Sequence, residues 1–214
     1  MIDTAVVVAS GAPIPPAVLD ELPERVWIVA ADGGLDHANR LGLDVDLLVG
    51  DLDSVGDPAL RAHHGDVERH PEAKDQTDLE LALGAAAARP NIDRILVLGG
   101  RGGRLDHLLA NAAVLAAPTL AHCDVVWITD GTRATLVRTH AFLHGTPGEL
   151  VSLLAVGGPA EGVHTRGLEW KLDGERLEPW SARGVSNRLT VPVAGVRVES
   201  GVLLAVQPQA IPAS

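Results

Sequence analysis

Several residue types are scarce in this chain. Its 214 residues include one cysteine (Cys123), two lysines, one Phe and no Tyr. A single cysteine excludes an intrachain disulfide and a cysteine-built zinc site, and it fits a reducing compartment, the cytoplasm. With four Trp as the only other aromatics, the core must be made of Val, Leu, Ala and Ile. No stretch approaches the roughly eighteen unbroken apolar residues of a membrane span, so no membrane is expected as a partner. The opening MIDTAVVVASGAPIPP has no basic segment ahead of its apolar run, so no secretory leader is expected. Positive charge is short as well, with 17 basic against 28 acidic residues and a net charge of −11. Nucleic-acid binding depends on Lys and Arg neutralising phosphates, so that class of partner is excluded. Apolar residues make up 46% and charged residues 21%, an ordinary balance that argues against disorder, collagen and coiled coil.

What is present changes texture along the chain. In the first part, short apolar runs at 5–9, 26–31, 47–49, 95–98 and 125–129 alternate with helical stretches at 38–41, 57–64, 77–88 and 105–117. Thr77 is placed to cap its helix, with Glu80 three residues on as a capping box. Apolar runs without polar alternation suit strands buried on both faces, so this part predicts a parallel sheet covered by helices. Beyond about residue 135, long helical patterns stop. Short runs at 134–138, 150–156, 168–172, 189–193, 197–199 and 202–206 follow one another across Gly, Pro and Asp-Gly turns. They predict an antiparallel sandwich or small barrel. The fold class is therefore α/β, with a Rossmann-like parallel-sheet domain over 1–135 and an all-β domain over 136–214.

Open parallel sheets bind ligands beyond the carboxyl ends of their strands. Ser10-Gly11, Asp32-Gly33-Gly34, Gly50-Asp51-Leu52-Asp53-Ser54, the glycine stretch from Gly99 to Arg104, and Asp130-Gly131 each follow a predicted strand. Any one of these could be a plain turn; five at one edge point to a site. Ten of the seventeen aspartates lie between Asp32 and Asp78. Asp51 and Asp53 are two apart at a strand end, and Asp75 and Asp78 bracket a helix start, where they also suit the helix dipole. Crowded carboxylates repel, and a cation relieves that cost. An all-oxygen donor set favours Mg²⁺ over zinc.

In a chain with fifteen arginines, one of the two lysines, Lys74, sits inside this acidic stretch, a point charge suited to phosphate. The stretch GGRGGRLDH (99–107) joins a strand to a helix. Its glycines permit close backbone approach, and Arg101 and Arg104 offer anion-binding forks. It departs from G-x-G-x-x-G, and no P-loop, G-x-S-x-G or H-E-x-x-H motif exists. Among nine histidines, only His107 falls in a motif; the others, His37 included, read as surface or turn residues.

Four stretches in order resemble the thiamin pyrophosphokinase (thiamin diphosphokinase) family: ADGG (31–34), GDLDS (50–54), KDQTD with LELAL (74–83), and GGRGGRLDH with LLAN (99–111). A fifth is Ser186-Asn187. The resemblance implies an α/β domain followed by a β-sandwich, a homodimer with its active site between subunits, ATP and thiamin as substrates, and Mg²⁺. It assigns Asp32, Asp51, Asp53 and Asp78 as the catalytic acids, with Asp51, Asp53 and Asp78 on the metal. ATP would be lined by Ser10, Gly11, Gly33, Lys74, Asp75, Gln76, Thr77, Gly100, Arg101, Gly102, Gly103 and Arg104. Thiamin would meet Asp106, His107, Ser186 and Asn187. One departure is visible: where animal members carry a Trp after Leu-Leu that packs on thiamin, Leu203-Leu204 is followed here by Ala205.

Other readings stay open at this level. A pyrophosphokinase for another alcohol, such as a hydroxymethylpterin, would share the fold. Asp51-Leu52-Asp53-Ser54-Val55 resembles a phosphatase nucleophile motif, although Asp130 stands alone where an acidic pair is due. A non-catalytic thiamin or nucleotide binder is the third, and the intact acidic set argues against it.

Overall fold

The computed structural model describes residues 2–208, 210 and 211. Six parallel strands are built first: β1 (Thr4–Val8), β2 (Trp27–Ala31), β3 (Leu47–Gly50), β4 (Asp66–Arg69), β5 (Arg94–Leu98) and β6 (Asp124–Thr129). Their spatial order is β6-β5-β1-β2-β3-β4. From β1 the chain winds outward to β4, then returns to the other side of β1 to add β5 and β6. That reversal makes a topological switch point between β1 and β5.

Four helices lie in the crossovers: α1 (Gly34–Arg40), α2 (Asp57–Ala62), α3 (Asp78–Ala88) and α4 (Leu105–Val114). α3 buries Leu79, Ala82, Leu83 and Ala86, one helical face, against Ala5, Val7, Val29 and Val97 of the sheet. Val6, Val8, Leu96 and Leu98 point to the opposite face, where Val18 and Ala38 cover them. Strands buried on both faces explain the unbroken apolar runs. Each fully buried Leu or Val contributes roughly 1.5–3 kcal/mol. Helix α4 stops at Val114, short of the expected 117; Ala116 and Ala117 turn into a 3-10 segment that opens at Pro118. Thr77 caps α3 by accepting from the Glu80 amide (3.2 Å), but the Glu80 carboxylate takes its bond from Gln76, so only half of the capping box forms.

The β half continues the same sheet. β7 (Thr132–Val137) pairs antiparallel with β6. It is followed by β8 (His140–His144), β9 (Leu150–Ala155), β10 (Ala160–Arg166), β11 (Asp173–Leu177), β12 (Asn187–Arg188), β13 (Val193–Arg197) and β14 (Leu203–Gln207). Strands β7, β14, β9 and β12 extend the parallel sheet to ten strands, and β11-β10-β13-β8 form a second, four-stranded sheet. Val137, Val151, Leu153, Leu203 and Ala205 from the first meet Leu143, Val163, Ala194 and Val196 from the second in one core. The expected sandwich is therefore present, and it shares a sheet with the α/β half; the division at 135/136 falls inside β7.

Individual elements differ from expectation. Residues 168–172 and 189–192 are not strands: Leu168 and Leu189 form a single bridge, and their segments are loops whose leucines still face the core; the strand expected at 197–199 lies instead at β13, Val193–Arg197. β4, β8, β10 and β11 went unread because their exposed positions carry His, Asp, Glu and Arg and their apolar runs are short; β4 is exposed at all four residues. Among the described residues no helix is long and apolar enough to cross a membrane.

Candidate active site

The strand ends at the switch point open into a cavity of about 610 Å³. Its acidic floor comes from three strand or helix ends: Asp32 after β2, Asp51 after β3, and Asp78 at the first turn of α3. One oxygen of each of these carboxylates lies within 4.8 Å of the others. Local backbone makes the approach possible. Asp32 has φ of 47°, the left-handed region that a non-glycine residue seldom holds. Gly50, at φ of 149°, leaves room for its neighbours: a Cβ there would stand 3.1 Å from both Asp32 Cβ and Asp78 Oδ1. Leu52, also left-handed at φ 70°, is buried beside Leu35, Leu48 and Val55, anchoring the turn from which Asp51 and Asp53 emerge.

Lys74 bridges the cluster. Its Nζ is 3.0 Å from Asp51 Oδ2 and 3.1 Å from Asp78 Oδ1. Desolvation pulls its ammonium toward the neutral form, but hydrogen bonds to Asp51 and Asp78 outweigh this and hold its pKa above the ordinary lysine value. The bond from Lys74 likewise holds Asp51 low. Asp32 goes the other way. Burial pushes its carboxyl up, bonds from Ser54 and the Gly33 amide offset part of this, and the Asp78 and Asp51 charges add to the rise. It is 7% exposed, and its Oδ1 is buried with no hydrogen-bond partner. Three carboxylates against one ammonium leave excess negative charge, and an orphaned buried oxygen costs about 1–3 kcal/mol. This all-oxygen set fits a hard divalent cation such as Mg²⁺.

The opposite wall is built from the loops after β1 and β5. Ser10 O accepts from the Gly100 amide at 3.0 Å, and the Ala12 amide donates to Arg101 O, zipping the two loops together. Gly11, at φ 126°, is pressed against the Arg101 carbonyl, where a side chain would not fit. Two residues brace the glycine stretch from beneath: Asn111 Nδ2 donates to Gly100 O and Trp127 Nε1 donates to Gly99 O, each at 2.8 Å. Arg101 and Arg104 reach the cavity, and each also holds a neighbouring carboxylate, Asp130 and Asp106 respectively. The Arg104 guanidinium holds Asp106 well below the usual carboxylate range.

Most of the expected residues meet here. Ser10, Gly11, Asp32, Asp51, Asp53, Lys74, Gln76, Thr77, Asp78, Gly100, Arg101, Gly102, Arg104 and His107 all line the cavity. Asp53 does so from outside the three-carboxylate group, its Oδ1 accepting from Ser54 Oγ at 2.9 Å. Gly33 is the residue preceding α1; Asp75, Gly103 and Asp106 are exposed beside the cavity lining rather than in it. Ser186 and Asn187 lie in the all-β half and do not line the cavity of this one chain. Ser186 is exposed, whereas Asn187 is buried and committed to backbone: its Oδ1 accepts from Trp170 N and its Nδ2 donates to Trp170 O. Ala205 is fully buried between the sheets, which leaves no room for an indole at that position. Ser54, Glu72 and Asn111 also line the cavity, and none of them is among the residues expected there from the sequence. A signal existed for Asn111: past the first turn of its helix it is the polar residue among Leu, Ala and Val.

Comparison with known proteins agrees with this geometry. The model of the thiamin pyrophosphokinase catalytic domain matches residues 19–127, and that of the thiamin pyrophosphokinase vitamin B1 binding domain matches residues 139–203. The chain is 28% identical over 162 residues to a rice protein named thiamine pyrophosphokinase 1, covering 69% of this chain and 60% of that protein's length. A thiamine pyrophosphokinase structure from Bacillus subtilis superposes with a TM-score of 0.80 at 23% identity, over 96% of this chain and 98% of that one. The Candida albicans thiamin pyrophosphokinase gives 0.77 at 15% identity, over 97% and 89%. With both domain models matched in order along one continuous fold, the chain belongs to the thiamin pyrophosphokinase family.

Proposed function

We propose that this chain transfers the terminal pyrophosphoryl group of ATP to the hydroxyl of thiamin, giving thiamin diphosphate and AMP. The observation that carries the reading is the Asp32–Asp51–Asp78 group, clamped by Lys74 and facing the glycine-arginine loops across the switch-point cavity. In this reading the alcohol oxygen bonds to the β-phosphorus as the bond from that phosphorus to the α-phosphate's bridging oxygen breaks, and the hydroxyl proton is released. The work is positioning and charge neutralisation rather than covalent catalysis.

Asp32, Asp51 and Asp78 would hold Mg²⁺, which when bound supplies charge neutralisation to the phosphate oxygens. Lys74, Arg101 and Arg104 supply the chain's own positive charge around the triphosphate, and the amides of the zipped loops border it. Asp53 and Glu72 line the cavity without joining the three-carboxylate group, and Asp53, two residues from Asp51, is the one we assign to take the alcohol's proton. An acidic cavity also suits the thiazolium cation. Ser186, exposed, and the segment that Asn187 fixes would face the vitamin from a second copy in a homodimer, since one chain does not bring them to the cavity. We place the enzyme in the cytoplasm, consistent with its single buried cysteine. Its net charge of −11 argues against nucleic acid as a partner.

The test is product chromatography with ATP, thiamin and Mg²⁺. AMP and thiamin diphosphate should form together, each dependent on the other substrate. ADP or inorganic phosphate as the main product contradicts the proposal, and a hydroxymethylpterin accepted in place of thiamin would move the reading to another alcohol.

A further inference from the structure

His37 reads as a surface residue in the sequence, yet it is 5% exposed, on the buried side of α1. Both ring nitrogens are engaged. Nε2 is 3.1 Å from the carbonyl of Gly11, and Nδ1 is 3.0 Å from Nη2 of Arg40. A guanidinium has donors only, and a carbonyl oxygen only accepts. Nδ1 must therefore be the bare nitrogen and Nε2 must carry the hydrogen, so the two partners fix one neutral tautomer. Burial and then the Arg40 charge both lower the ring's pKa, against smaller raising effects from the Gly11 carbonyl and Asp36. Arg40 is itself set by its Nε, which donates to Asp36 O at 3.1 Å.

The residue that His37 holds is the one the cavity can least let move. Gly11 sits at φ 126° against the Arg101 carbonyl, and its neighbours Ser10 and Ala12 carry the two bonds that zip the loop after β1 to the glycine-arginine loop after β5. The Gly11 carbonyl points away from that zipper into the His37 Nε2–H. The same helix reaches the loop after β3, where Asp36 Oδ2 accepts from the Gly56 amide at 3.1 Å. Helix α1 thus braces two of the cavity's loops, those after β1 and β3.

We infer that His37, locked as the Nε2–H tautomer by Arg40, is a positioning residue for the nucleotide: it fixes the Gly11 carbonyl, and through it the paired loops 10–12 and 100–102 that border the triphosphate. This rests on the reading of the cavity as an ATP site. It touches neither substrate nor the carboxylate group. Its effect should fall on ATP, whose wall it holds, and spare thiamin.

The test is steady-state kinetics on the full chain with ATP and thiamin varied in turn. His37→Leu should raise the KM for ATP about tenfold or more while the KM for thiamin stays within about twofold. His37→Gln should return the ATP KM to within about threefold of the parent, because its amide can donate to Gly11 O and accept from Arg40. An unchanged ATP KM in a folded His37→Leu, a parallel rise in both KM values, or a Gln variant as impaired as Leu would each overturn the assignment. Should His37→Leu fail to fold, Arg40→Met, a change at an exposed side chain, carries the test: it removes the donor to Nδ1, and an ATP KM equal to the parent's overturns the tautomer lock. A proton–nitrogen spectrum of the histidine side chains reads the tautomer without any turnover. An Nε2–H resonance for His37 is expected, and an Nδ1–H or doubly protonated ring contradicts it. A parent chain that makes no AMP counts against the reading of the reaction, while that spectrum judges His37 independently.

Discussion

In the α/β half, Asp32 is 7% exposed and has a buried oxygen with no hydrogen-bond partner; in the all-β half, Asn187 is 4% exposed and has its carbonyl and amide both tied to the backbone of Trp170. The two residues are equally removed from water and arrive at opposite ends of the same accounting. A buried polar group that the fold satisfies belongs to the scaffold. One that the fold leaves unsatisfied, next to like charges and on a left-handed backbone, is held at a cost that only a ligand offsets. The contrast extends to the glycines nearby. Gly50 lets the carboxylates Asp32 and Asp78 crowd together, whereas Gly184, in the turn before Asn187, is pressed against the Leu153 carbonyl of the neighbouring strand, a contact of the scaffold.

The largest effect that would break this contrast is on turnover. Asp32→Asn, Asp51→Asn and Asp78→Asn should each lower turnover by about a hundredfold or more, since each removes a carboxylate of the group proposed to hold Mg²⁺. Without metal, the thermal midpoint of Asp32→Asn should hold or rise, because a buried charge beside two others is gone. A variant with parental turnover at saturating Mg²⁺, or one that melts well below the parent, would place Asp32 with the scaffold.

Asn187→Ala should do the reverse on stability. Losing its bonds to the Trp170 backbone should cost about 1–3 kcal/mol in urea denaturation. If instead the variant keeps parental stability and only its thiamin KM rises, Asn187 is a binding group whose packing is incidental.

The smallest effect expected is at Thr77, which sits on the border between the two roles: it lines the cavity and caps α3. Thr77→Ala should lose about 1 kcal/mol of stability, the usual cost of an N-cap. A stability loss of that size with turnover little changed assigns Thr77 to the scaffold; a turnover loss comparable to that of the aspartates assigns it to the site.

How far the residues could be read in advance follows the same division. The strands β1, β2, β3, β5 and β6 were legible because burial on both faces leaves no polar interruption, and their ends carried the small and acidic residues that mark the switch-point crevice. β8, β10 and β11 were not, because each shows charged or histidine side chains to solvent and buries few positions, a single one in β8 and in β11; β10 is further broken by register shifts. At the site, Asp51, Asp78 and Lys74 could be picked out from spacing and from the scarcity of lysine. What separates Asp32 from Asp53 could not. That depends on which carboxylate the left-handed turns at 32 and 52 carry inward, a property of three-dimensional backbone geometry. His37 was hidden for a related reason: its partners, Gly11 and Arg40, lie 26 residues before it and 3 after it, and only the packing of α1 against the loop after β1 brings all three together.

The proposed cation site is the orphaned oxygen of Asp32 together with Asp51 and Asp78. The direct measurement is a thermal melt of the parent chain and of Asp32→Asn with and without Mn²⁺, paired with electron paramagnetic resonance counting of bound Mn²⁺. Mn²⁺ should bind and raise the midpoint of the parent, and Asp32→Asn should lose most of both effects. Equal binding and an equal midpoint shift in the two proteins, or no Mn²⁺ bound to the parent with ATP present, would contradict it.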